Sequence, residues 1–290
     1  MFTEEKKLEK VALAKSHSAA DRLAARFFTR NSDNRGCSVG CDAYDIRLKN
    51  GDDWDLEEGP EDGYHAYVAS YFGTPEWLEY LRDTIFEGLP EADRAGWHVN
   101  LAEALPVQGD FERARRLILR DILLEIAAKS IGEGDEDWRV RCRSAVQRVA
   151  ALHNRAAVEP VSQAEWDAAR AAAKAAGDVA GDAAGYAAEG DAAEGATARA
   201  AAGAAKAAGH VAEAAGWATR DAVGATDWVT SWAVGAAGSA ASEAARSAAG
   251  DDRAARAAAE AAGWATAGAA AYQKIAKITL KHLREAGASS

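Results

Sequence analysis

Apolar residues recur at helical spacing through the first 160 positions and then give way to alanine. Leu13, His17, Ala20, Ala24 and Phe27 follow at intervals of four and three, so they share one face of a helix expected over 4–29. Thr74-Pro75-Glu76-Trp77 reads as a helix start: a capping hydroxyl, a proline in the first turn, and an acid near the positive end of the dipole. That helix is expected to end at Gly88, with Pro90 just beyond. Asp110 is placed to cap the next one, whose stripe is Leu117, Ile118, Ile122 and Ile126 and whose stop is Gly132. A further helix opens at Asp135 and carries Trp138, Cys142, Ala145, Val149 and Leu152 at helical spacing. Val39 to Leu48 alternates weakly but has no partner hairpin, so the fold class is all-α.

Near Pro160 the pattern changes. All five prolines lie at or before that position, and alanine supplies 50 of the residues from 161 to 270. No Leu, Ile, Phe or Met occurs between His153 and Lys274. The chain is therefore expected to divide into a helical N-terminal domain with an ordinary mixed core, 1–160, and an Ala-rich domain, 161–290. The first contains a cysteine pair and an acidic loop at 50–63. The loop fails the calcium-binding spacing of an EF-hand, because Glu58 stands where glycine is required.

The second domain opens on a capping box, Ser162-Gln163-Ala164-Glu165, with Val161 and Trp166 at the positions of a hydrophobic staple. Asp167, Arg170, Lys174, Asp178 and Asp182 then mark one face, opposite a face of Ala and Gly. Small faces let helix axes approach toward the lower end of the usual range of about 8–10 Å. The expectation is a closely packed helical bundle or array, broken near 190–195, 235–242 and 249–252. A final helix follows with Ile275, Ile278, Leu280 and Leu283.

Charge and composition narrow the function. A net charge of -11 argues against a broad nucleic-acid footprint, which needs clustered Lys and Arg. The uncharged run from Trp228 to Ser242 is too short and too rich in Gly and Ser for a membrane span of about 20 apolar residues. The N-terminus has no apolar signal region, and three cysteines do not make a disulfide framework, so a cytoplasmic location is expected. No nucleotide-binding loop or HExxH occurs.

Two places carry candidate chemistry. Cys37 and Cys41 lie four apart, on one face of a helix if it starts near Gly36, where the dipole would favour thiolates. His17 and His65 are candidate partners, with Asp21 placed to orient His17. The four would make a Cys2His2 zinc site, or a Cys nucleophile with a His base; two packed thiols and a core histidine is the third alternative. Cys142 sits on a core stripe, whereas His98, His153 and His282 read as surface or helix-end residues. The second place is a stripe of His210, Trp217, Asp221, Trp228 and Trp232, spaced 7, 4, 7 and 4. It would pack on the N-terminal half or form a partner surface, where Trp is enriched.

GCSVGC, then YHAYVASYFGTPEWLEYLRDTIFEGLP, then a tail ending AAAYQKIAKITLKHLREA, together resemble a family of uncharacterised bacterial and phage-encoded proteins. Its members pair GCxVGC and FEGLP segments with a long Ala-rich tail punctuated by Trp and Tyr, and the resemblance covers most of the chain. It implies this two-part architecture and a phage-related setting. The family pattern has a His soon after the second Cys; here Asp42 and Ala43 stand there, and the acidic loop leads on to His65. The leading expectation is a non-enzymatic helical interaction or scaffold protein with a protein partner or self-association. The alternatives are a zinc-dependent protein or Cys–His enzyme, and an acidic decoy for a basic partner.

Overall fold

The computed structural model describes residues 1–25, 35–55, 58–131, 133–187 and 253–288, with the single positions 198, 201, 202, 205, 209, 234 and 235. Among these residues the fold is all-α. In chain order come α1 (Glu4–Ala19), α2 (Ser38–Asn50), α3 (Tyr64–Phe72), α4 (Glu76–Gly88), α5 (Glu91–Ala104) and α6 (Phe111–Ile122). After α6 a π-helical turn, Leu123–Ala127, leads into α7 (Ala128–Ser130). Then come α8 (Asp137–Ala156), α9 (Gln163–Ala187) and α10 (Arg253–Ala288). The chain divides into two compact units, Met1–Ala114 with Thr279–Ser290, and Arg115–Ile278.

In unit one, α1 stops at Ala19 instead of running to 29. Asp21 turns into the left-handed region at φ 49°, and Leu23 pairs with Gly36 in an isolated parallel bridge. The buried side of α1 is Lys10, Ala14 and His17, with Ala20 exposed, so the expected face is rotated except at His17. Helix α2 forms where weak alternation hinted at extended chain. Cys37 is its N-cap and accepts from Gly40 N–H at 3.3 Å, which satisfies one orphan donor of the first turn. Helix α4 begins at Glu76, with Pro75 as its N-cap residue. The Thr74 hydroxyl, expected to cap it, instead donates to Glu79 Oε1 at 2.8 Å. Leu78, Leu81, Ile85 and Phe86 make its apolar side. At the start of α6, Asp110 accepts from Arg113 N–H at 2.9 Å, as its position predicts.

Unit two joins ordinary and alanine-faced helices. Trp138, Cys142, Val146 and Val149 bury one side of α8. Trp166, Ala169, Ala173, Ala176, Ala180 and Ala184 are the buried side of α9, at intervals of three and four. Ser162 starts α9: its N–H donates to Glu165 Oε2 at 3.1 Å and its hydroxyl at 2.7 Å. The compositional change near Pro160 thus falls inside unit two, between two helices that touch. Cys142 Sγ donates to Ala176 O at 3.4 Å across them, in the packing role expected of it. The expected breaks near 190–195, 235–242 and 249–252 lie outside the described residues, apart from Gly235, which is helical. Among the described residues no helix is long and apolar enough to cross a membrane.

Candidate functional site

Helices α1, α2, α4 and α5 of unit one place six ionisable side chains out of solvent: Lys10, His17, Asp42, Glu79, Arg82 and His98. Charged groups are rarely buried unless paired, and here the pairing is dense. Arg82 Nη1 donates to Asp42 Oδ2 at 2.5 Å, and Arg82 Nε lies 3.0 Å from Glu79 Oε2. Lys10 Nζ donates to Glu79 Oε1 at 3.1 Å and to Asp42 Oδ2 at 3.4 Å, and stands 4.1 Å from the centre of the Phe72 ring. Two cations thus face two carboxylates.

The histidines adjoin this network. His17 Nε2 is 2.8 Å from Asp45 Oδ2, a distance that puts a proton on that nitrogen. Arg22 grips Asp45 with both terminal nitrogens, each at 3.1 Å. On its other side, His17 Nδ1 is 3.3 Å from His98 Nε2, and the two rings stack at 5.5 Å and 9°. Asp42 Oδ1 lies 3.6 Å from His17 Nδ1 and 3.9 Å from His98 Nε2. It is buried without a hydrogen-bond partner, as is His98 Nδ1.

Electrostatics fixes the charge states. Burial alone would raise the Asp42 carboxyl, but the Arg82 and Lys10 cations outweigh it and hold it far below the usual range. Glu79 is lowered against its burial by the same two cations. Burial, with Arg82 nearby, pushes His98 down to about 3 even though Asp42 pulls the other way, so His98 is neutral.

The sequence set Cys37, Cys41, His17 and His65 is not brought together. Among the described residues, two groups offer three ligand atoms within 4.8 Å of one another: His17, Asp42 and His98, and Cys37, Asp83 and Glu87. His17 therefore belongs to a carboxylate–histidine cluster, not to the thiols. Cys41 donates to Arg22 O at 3.5 Å and to Gly36 O at 3.6 Å. His65 stacks on Tyr80 at 3.9 Å, with Nε2 3.4 Å from Asp83 Oδ2. The helix start does not make the thiols acidic. Burial pushes Cys41 up to about 11, and burial with Asp83 raises Cys37 well above a free thiol. Asp21, expected to orient His17, is exposed beyond the helix end and pairs with Arg35 at 3.4 Å; Asp45 orients the imidazole instead.

His98, which reads in sequence as a surface or helix-end residue, is buried. The signal was its place in the run His98, Leu101, Ala102, Leu105, whose spacing is helical. His153 and His282 are buried too; His153 tilts onto Trp166 at 4.9 Å, and His282 Nδ1 is 3.0 Å from Glu285. The burial of Lys10, Asp42, Glu79 and Arg82 had no comparable signal in isolation. His210, Trp217, Asp221, Trp228 and Trp232 all lie outside the described residues.

A second feature belongs to unit two. A groove of about 410 Å³ runs between α8 and α9, floored by Ala145, Ala172, Ala176 and Val179, with Arg141 and Arg148 among its lining. Val140 lines it as well and is 47% exposed. No family model, curated protein or solved structure matches the chain.

Proposed function

We propose that the protein is a non-enzymatic helical binding protein whose α8–α9 groove receives an alanine-faced, acidic helix from a second copy of the chain. The observation that carries this reading is the chemistry of the groove: a small apolar floor, an exposed Val140, and Arg141 and Arg148 at its edge. Such a floor admits a helix closely only when the incoming face is also small. The chain is rich in such faces, and its net charge of -11 complements the arginines. The thiols favour binding over catalysis. A nucleophilic cysteine needs a lowered pKa and access, and Cys41 is buried and held at about 11.

Sedimentation velocity across a concentration series tests this. The wild type is expected to form dimers as concentration rises. Arg148→Glu and Ala175→Glu should each weaken the dimer by about tenfold or more while leaving the helical circular dichroism unchanged. A wild type that stays monomeric throughout, or variants that dimerise equally well, would reject the proposal.

A further inference from the structure

We infer that His17 Nδ1, His98 Nε2 and Asp42 Oδ1 form a site for a divalent first-row transition metal ion, zinc foremost. The inference is independent of self-association, because it concerns unit one alone.

Three observations carry it. The first is spacing. Ligands of a tetrahedral ion bonded at about 2.0–2.1 Å stand about 3.4 Å apart. The three atoms here are separated by 3.3, 3.6 and 3.9 Å, so a few tenths of an ångström of contraction would complete one face of such a polyhedron. The second is an unmet demand. Asp42 is sealed from solvent, Arg82 and Lys10 both take Oδ2, and Oδ1 is left without a hydrogen bond. A buried acceptor in that state is costly, and a metal ion would satisfy it. The third is the support behind the ligands. Asp45 holds the proton of His17 on Nε2, and Arg22 holds Asp45, so the lone pair on Nδ1 faces the other two atoms. This carboxylate–histidine relay is the usual backing of a metal-bound imidazole. With that lone pair on His17 Nδ1, His98 Nε2 is the donor of the 3.3 Å hydrogen bond between them in the metal-free site, and binding an ion would move that proton to His98 Nδ1, which has no other hydrogen-bond partner.

Donor chemistry sets the selectivity. Two imidazoles and one carboxylate suit zinc, iron, nickel or copper, whereas magnesium and calcium prefer oxygen. Lys10 and Arg82 oppose added positive charge, which further penalises hard ions held mainly by charge. Because all three ligands are buried, loading requires opening of the unit or its refolding.

The test is to strip the untagged full chain of metal, refold it with zinc or cobalt(II), and measure retained metal after dialysis. The expected result is one ion per chain, with visible cobalt d–d bands and no near-ultraviolet thiolate charge-transfer band. His98→Gln should weaken retention by tenfold or more, and His65→Gln should leave it unchanged. If His98→Gln does not fold, Asp45→Asn takes its place, with an expected loss of about 10–100-fold in affinity. A wild type that retains no metal overturns the inference. So does a thiolate band, which would move the ion to Cys37, or a folded His98→Gln or Asp45→Asn protein that binds as the wild type does.

Discussion

Arg82 on α4 meets Asp42 on α2 at 2.5 Å, with both side chains sealed from solvent. Forty positions separate them in the chain, so the pair ties together two helices that share no local signal. Desolvating each ion costs several kcal/mol, and the arrangement is tolerable only because every charge has a partner. Lys10 serves both carboxylates, and Thr74 gives its hydroxyl to Glu79 rather than to its helix.

Removing one member should therefore hurt more than removing a matched pair. Arg82→Met leaves Asp42 and Glu79 short of a cation, and the expected loss is about 3–5 kcal/mol in urea unfolding. Lys10→Met combined with Glu79→Met should cost less than the two single changes added together, by about 0.5–3 kcal/mol. Strict additivity would show that the residues do not act as one network.

The cysteines should be inert in the native protein. Cys41 and Cys142 are held at about 11, and Cys37 is raised well above a free thiol, each chiefly by burial. Alkylation at pH 8 is expected to proceed only as the protein unfolds, and to reach all three thiols in denaturant. Rapid labelling of Cys37 or Cys41 under native conditions would contradict this and reopen a nucleophilic role.

Unit two should lose stability on mild acidification. His153 is buried, neither ring nitrogen has a hydrogen-bond partner, and its pKa lies well below 6.5, first through burial and then through Arg116 and Arg115. Those arginines face it from α6, and Trp166 covers it from α9. The folded protein keeps His153 neutral while the unfolded chain protonates it near 6.5. Its contribution is thus present above that pH and lost as pH falls below it, at up to about 1.4 kcal/mol per pH unit. His153→Phe should reduce the slope below pH 6 by about that amount. A slope that does not change means that His153 takes up its proton while the protein is folded.

The alanine face of α9 should not tolerate growth. Ala173 is fully buried and Ala171 is exposed. Ala173→Leu is expected to cost about 1–3 kcal/mol through overpacking. Ala171→Leu should fall within about 0.5 kcal/mol of wild type in the same unfolding experiment. Equal effects at both positions would mean that close packing against α8 is not what α9 requires.

What the sequence determined by itself is local. The caps at Asp110 and Ser162 and the alanine stripe of α9 each depend on residues within a few positions of one another. Period and propensity encode such features directly. The same period marked His17 as inward-facing; it also runs through His98, Leu101 and Leu105, but the surface or helix-end reading of His98 passed over it. It could not place Lys10, Asp42, Glu79 or Arg82. In a one-dimensional pattern a charge belongs to solvent by default, because burying it alone is prohibitive. Only the meeting of α1, α2, α4 and α5 supplies the countercharges that reverse that balance. Tertiary structure therefore decided that His17 faces Asp42, Asp45 and His98 and not Cys37 and Cys41, since the worth of a buried ion lies in its partners.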